Sequence, residues 1–435
     1  MRNLLLAAVL ASLAAAVAAP AAAALAAPAP AAHAAGPSAA HTTEAVPVPA
    51  PNAKVLAYYR RDNAEFVANY LTAALSAIVV LFTGLSARMR TAALRLGRFW
   101  PLAIPIYLLL FEVVDFVIST PVAYYFYRRD RDFGLSHETP GAWLREQLFD
   151  LPGALLFVAV LMIVFYAFLR MSPRRWWLYA AIPLSLLDLA SVAVSFAMQP
   201  QSKGFGPVKD AAQAVDARAL AARAGLRDAA LFQADRVKGT AAVGGWLGKP
   251  RIVLQDPATA KLPAQQQRFM LGRELGAYRL REQIKYSLMR GLLSIVGLYL
   301  LYRGGTALIR RFKDRFGFDQ MSDFASWPIF PVLFNVFFLL VKPVDTGFAR
   351  YLQHESDRFG LELVQDNRAC GEAFVAVQSS ELVNPRPGAL YELFRGHDQP
   401  LAERVEFCND YRPWEKGEPL KYGALFAGNL KAGSN

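Results

Sequence analysis

Six apolar stretches, each near the ~20 residues that a helix needs to cross a bilayer, constrain this chain more than any other feature. They lie at about 66–86, 99–127, 151–170, 176–198, 286–302 and 325–341. In hydrocarbon every backbone N–H and C=O must be satisfied within the segment, so apolar runs of this length read as helices. The fold class is therefore a mainly α multi-span membrane protein. The last two stretches are short, and Pro328 and Pro331 predict a tilted or broken sixth span. Helices buried in a globular core are the alternative for those two. Composition agrees: 54% of residues are hydrophobic and 19% charged, against roughly 25% charged in soluble domains. This balance excludes a disordered, collagen-like or disulfide-framework chain and argues against a purely soluble enzyme.

The formal charge of +12 could signal nucleic acid, but the basic residues cluster at the ends of the apolar runs instead of forming a stripe interleaved with aromatics. Segment 87–98 carries Arg88, Arg90, Arg95 and Arg98 with no acid, and 170–175 carries Arg170, Arg174 and Arg175 with none. Segment 303–315 sets Arg303, Arg310, Arg311, Lys313 and Arg315 against Asp314. Segment 128–150, by contrast, has more acids than arginines. Read as loops, the first three are expected on the cytoplasmic side and the fourth outside. With six spans, the polar parts at 199–285 and 342–435 then fall on the outer, periplasmic face of an inner or plasma membrane. Trp176 and Trp177 read as an interfacial anchor.

The N-terminal part divides in two. Residues 1–18 have an early Arg, an apolar run and A-x-A tripeptides, the pattern of a secretory signal or an uncleaved anchor. Residues 19–52 are almost all Ala and Pro and are expected to be a disordered tether. Residues 53–198 then hold four spans, and 199–435 the remaining polar part with two more. Glu112, Asp115 and Asp188 fall inside spans. Each should face a polar chamber or pair with an Arg near a helix end, because an acid facing lipid is costly.

The segment with chemical content is Leu262–Arg281, read as a helix that carries R-E-L-G-A at Arg273–Ala277. A zinc protease would have H-E-x-x-H there. Two His four residues apart share a helix face and reach one metal, and the Glu activates the metal-bound water. Here Glu274 is kept, while Arg273 and Ala277 stand where ligands would be. Alone, R-E-L-G-A carries almost no specificity.

Its context carries more. R-D-F-G-L-S-H-E-T-P-G-A-W-L-R-E-Q-L-F at Arg131–Phe149, T-A-A-V-G-G-W-L-G-K-P-R-I-V-L-Q-D at Thr240–Asp256, the Leu262–Leu280 helix, R-Y-L-Q-H-E-S-D-R-F-G-L-E-L at Arg350–Leu363 and H-D-Q-P-L-A-E-R-V at His397–Val405 occur in that order. Together, from about Lys54 to Tyr422, they resemble the integral-membrane CAAX prenyl protease type I family of zinc metallopeptidases. The resemblance implies a helical transmembrane barrel with a small α+β metallopeptidase-like soluble domain. It implies a general-base position at Glu274 and ligand positions at Arg273, Ala277 and Gln353. It also implies a supporting acid at Asp357, a late His at His397 or, without a one-residue insertion, Asp398, and a peptide-binding edge strand at Thr240, Ala241 and Val243.

The departures from the family pattern decide the expected function. A catalytic zinc needs about three protein donors and an open position. Ala offers none, Gln a neutral amide, and Arg a fixed positive charge. No zinc or other cofactor is therefore expected, although active members of the family use zinc. The chain is expected to bind hydrophobic or lipidated peptides without cutting them; an active metalloendopeptidase with non-standard ligands is the alternative. Arg273 should instead pair with Asp357 or Glu274 and link the two helices as the metal would. The lipid bilayer is the other expected partner, and nucleic acid is not one. Glu355 lies two residues past Gln353 and is turned away around the helix, and His354 reads as a surface residue. A relocated metal site at His354 and His397 with Glu355 or Asp357 is the remaining metal reading. Cys370 and Cys408 read either as a disulfide or as buried thiols.

Overall fold

The computed structural model describes residues 45–134, 136–198, 205–234, 241–245, 250–255, 262–378 and 383–426, except for the side chains of 149–154, 187, 189 and 191–198. The signal reading at 1–18, the tether up to residue 44 and Thr240 lie outside these residues. In chain order the helices are α1 (Ala53–Phe82), α2 (Leu85–Gly97), α3 (Trp100–Asp132), α4 (Pro140–Met171), α5 (Trp176–Met198) and α6 (Ala211–Arg223). Strands β1 (Ala230–Ala234), β2 (Ala241–Gly244) and β3 (Arg251–Gln255) follow. Next come α7 (Ala264–Arg279), α8 (Glu282–Phe316), α9 (Ile329–Val364), α10 (Asn367–Gln378), α11 (Ala389–Phe394) and α12 (Leu401–Asp410).

The chain divides into two compact units, one of which takes residues 57–186 and 290–341. Among the described residues, α1, α3, α8 and the 41-residue run Phe324–Val364 are long and apolar enough to cross a membrane. Leu155–Met171 of α4 and Trp176–Leu186 of α5 are shorter apolar stretches. Within this first unit, Ile104, Tyr107, Met162, Tyr166, Leu301 and Phe330 are buried in one apolar core. Ser86 meets the Tyr107 hydroxyl at 2.7 Å and Tyr166 meets Ser326 at 2.9 Å, while the Trp176 indole N–H is buried there without a hydrogen-bond partner among the described residues.

Several segments read as loops are helical. Residues 87–98 fall almost wholly in α2, because Ser86, Met89, Ala93 and Gly97 repeat at helical spacing and are buried, which leaves the arginines on the other side. Residues 303–315 continue α8 to Phe316, with Ile309 and Phe316 buried. The 128–150 connection shrinks, since α3 runs to Asp132 and α4 starts at Pro140, where Thr139 Oγ1 accepts the Ala142 N–H at 3.2 Å. The sixth span is not broken. Pro331 falls in the first turn of α9, where the N–H would have no helical partner. Pro343 sits inside the same helix.

The second unit holds the sheet, in the order β1-β3-β2 with β1 parallel and β2 antiparallel to β3. Ala241 pairs with Leu254 and Val243 with Ile252, so β2 is an edge strand. These residues are buried against Leu220 of α6, Leu271 and Leu275 of α7, and Phe359 and Leu363 of α9. The opposite side of α7 packs Phe269 and Met270 with Leu361, Phe374, Leu401 and Val405. Cys370 of α10 and Cys408 of α12 are joined by a disulfide with Cα atoms 5.7 Å apart. The end of the Ala/Pro-rich stretch is docked, not disordered. The Val46 N–H donates to Asn409 Oδ1 and the Asn409 amide donates back to the Val46 carbonyl, both at 3.0 Å.

Candidate functional site

Small residues bring α7 and α9 together. A Cβ added to Gly360 would lie 2.7 Å from the Arg273 backbone nitrogen, and one on Gly276 would lie 2.9 Å from Phe359. The two helices therefore touch backbone to backbone at Arg273, a distance from which its side chain spans to Asp357. Arg273 Nε donates to Asp357 Oδ1 at 2.7 Å, and its Nη1 donates to Glu274 Oε1 at 2.6 Å. The carboxylate of Asp357 is 1% exposed. It also takes a two-pronged hydrogen bond from Arg404 of α12, both arms at 2.9 Å. The Arg404 guanidinium lies 3.7 Å over the Phe374 ring, which fixes its plane.

The electrostatics follow from this crowding. Burial pushes the Glu274 carboxyl up, and Glu282 and Asp357 nearby push it further, against the pull of Arg273. Burial disfavours the Arg273 charge, but Asp357, Glu274 and Glu282 outweigh it and hold the guanidinium protonated. Glu282 is itself held by the Ser356 hydroxyl at 2.7 Å.

The other positions are placed around this pair. Gln353 lies one turn before Asp357 on α9, and its amide donates to Asp398 Oδ1 at 2.7 Å. Ala277 offers only a half-buried methyl group. His397 turns away from Gln353. Its Nε2 is 2.8 Å from Lys342 Nζ, and its Nδ1 is 3.5 Å from the Tyr286 hydroxyl, which donates to Asp345. Asp398, not His397, therefore meets Gln353 of α9. Glu355 points the other way, as its helical offset predicts: Arg358 donates to it at 2.8 Å, and Lys421 and Tyr422 also donate to it. His354 is half-buried, not a free surface residue; its ring packs 4.6 Å from Phe407 and its Nε2 meets Arg358 at 2.9 Å. Thr346 and Arg350 of α9 hold the stretch just before His397, since Thr346 donates to the Leu393 carbonyl and Arg350 to that of Gly396, both at 2.8 Å.

These donors do not suit a dication. Among the described residues, no group of three or more His, Cys, Asp and Glu is arranged to share a metal. Glu274 and Asp357 are both committed to the Arg273 guanidinium, whose fixed positive charge would repel a dication held beside it. Sequence reasoning missed Arg404. It lies in the quoted segment His397–Val405, and its signal was an Arg directly after Glu403 in an element already matched to the family.

The fold and site define a multi-span membrane protein built around a metallopeptidase-like helix pair, and the comparisons place it further. A model described as CAAX prenyl protease N-terminal, five membrane helices, matches residues 53–200, and one for peptidase family M48 matches residues 210–410. The chain belongs to the M48 family of CAAX prenyl protease-like metallopeptidases. In residues 53–198 there are five helices, but α2 has 13 residues and is too short to cross. An uncharacterized metalloprotease of Bacillus subtilis, YhfN, is 24% identical over 304 residues, which is 68% of this chain and 70% of that one. A CAAX prenyl protease 1 homolog of Dictyostelium discoideum is 24% identical over 268 residues, 58% of this chain and 60% of that one. The crystal structure of Ste24p from S. mikatae aligns with a TM-score of 0.57 at 16% identity, covering 82% of this chain and 88% of that one. That likeness is one of fold.

Proposed function

We propose that this chain is a proteolytically inactive M48 homologue that holds hydrophobic or lipidated peptide at its membrane without hydrolysing it. The observation that carries this reading is the guanidinium of Arg273, bound to both Asp357 and Glu274. A fixed cation there satisfies the acids that a metal would need and repels a dication. Without a metal, water keeps a pKa far above 7, and Glu274 alone cannot make it a useful nucleophile. Strand β2 ends its sheet and offers Ala241–Val243 for pairing with an extended peptide.

The alternative, an active metalloendopeptidase with unusual ligands, draws on one observation, the buried Glu274 carboxyl with its raised pKa. Restoring the ligands separates the two. The triple variant Arg273→His, Ala277→His, Gln353→Glu is expected to gain stoichiometric zinc, while the parent cleaves no peptide with or without chelator. Chelator-sensitive cleavage by the parent would overturn the proposal.

We also place the sheet-bearing unit on the outer face. The Cys370–Cys408 disulfide supports this, because such bonds persist in oxidising compartments. The arginine-rich ends of the spans support it too, by the positive-inside rule. An impermeant thiol reagent should label a Cys introduced at exposed Glu415 in intact cells, as Glu415→Cys; protection from it would reverse the orientation.

A further inference from the structure

The arginine-rich end of the first unit frames an open cleft of about 690 Å³ between α2, the start of α3, the end of α4 and the turn before α9. Arg90, Arg95, Trp100, Arg170, Asp319 and Asp323 line it. Asp323 is spent on two tasks: it pairs with Arg90, and its Oδ1 caps the Phe324–Ser326 turn by accepting the Ala325 N–H at 2.9 Å. Arg170 is stacked 4.1 Å over the Trp100 ring, with only its Nε engaged, at 3.4 Å from the Ser322 carbonyl. Its two terminal nitrogens have no hydrogen-bond partner among the described residues. Arg95 has no ion pair among them either. The cavity thus presents two guanidinium groups with spare donors, one held flat by an aromatic face, and this is a geometry suited to phosphate oxygens.

What surrounds the cavity selects the kind of phosphate. Leu96 is 73% exposed, Phe99 and Leu102 are each 55% exposed, and Met171 is 79% exposed. These side chains sit on the same helix ends as the arginines and offer apolar surface for acyl chains. A soluble phosphate would have no use for them. We propose that this cavity binds the headgroup of an anionic phospholipid, with Arg95 and Arg170 on the phosphate and Leu96, Phe99 and Met171 against the acyl chains.

The test uses the full chain, purified in detergent and stripped of lipid, with native mass spectrometry as the readout. Phosphatidylglycerol, phosphatidylcholine and inorganic phosphate are titrated separately. Retention of phosphatidylglycerol alone is expected. The double substitution Arg95→Ala, Arg170→Ala should weaken that retention about thirtyfold, because each juxtamembrane cation contributes about 1 kcal/mol to holding anionic lipid. Arg88→Ala, on the same helix but outside the cavity, should leave it unchanged. Should the double variant fail to fold, Arg95→Gln alone replaces it, and a loss of about fivefold is expected. Equal retention of phosphatidylcholine, binding of phosphate without lipid, an equal loss in Arg88→Ala, or undiminished retention in the Arg95 variants would each overturn the proposal.

Discussion

At Asp357 two guanidinium groups meet one buried carboxylate. Removing either leaves charge behind in a site that water does not easily reach. Arg273→Ala should lower stability in detergent by about 2 kcal/mol, since Arg404 still neutralises the acid. Arg404→Ala should cost more, because both its hydrogen bonds to Asp357 and its seat on Phe374 are lost. Arg273→Lys should recover only part of the loss, since an ammonium cannot reach Asp357 and Glu274 as a fork does. Calorimetric melting of the three variants checks the order. Glu274 gives a test with a sign. Folding raises its pKa, so the folded state holds the proton more tightly than the unfolded one. Its contribution is fully present below the unfolded value and is lost as pH rises through the folded value. Glu274→Gln should therefore melt higher than the parent at pH 7, with the gap closing toward pH 4. A gap that widens on acidification would contradict this. The Arg273 contact to α9 was legible because both residues fall in segments with helical spacing. Arg404 was not, because only the tertiary fold carries α12 to the buried face of α9.

At the scale of elements, the α7–α9 crossing depends on having no side chain at Gly360. Gly360→Ala would set a methyl group against the backbone of Arg273, which cannot move aside as a flexible side chain could. Overpacking of this kind typically costs about 1–3 kcal/mol, and it should also loosen the Arg273–Asp357 pair. Melting of Gly360→Ala measured beside Arg273→Ala tests the coupling: the double variant should lose less than the sum of the two. The disulfide ties α10 to α12 across 38 residues of chain. Closing a loop of that length stabilises by about 4 kcal/mol in the chain-entropy picture. Cys370→Ser should thus unfold at clearly lower temperature, and reductant should bring the parent down to the same point. Element types were readable wherever apolar period and length agreed, as in α1, α3 and α5. The errors came at arginine-rich ends. At 87–98 and 303–315 a charge run reads as a loop, although in both one face keeps a buried apolar stripe. At 303–315 the long helix α8 carries its basic end onward without unwinding, because its backbone bonds are satisfied within the helix, whereas 87–98 forms the separate short helix α2.

At the scale of the whole molecule, the chain keeps the family's fold, and on the proposed reading a fixed cation stands where the family's metal would. A guanidinium linking two helices can hold a fold together; it cannot activate water. Metal content per chain bears most directly on that claim. It should be measured on full-length protein purified from zinc-replete cells, with peptide cleavage followed in the same sample. The result expected is zinc far below one ion per chain and no cleavage that a chelator removes. One zinc per chain, lost with chelator together with a cleavage activity that Glu274→Gln also abolishes, would contradict it.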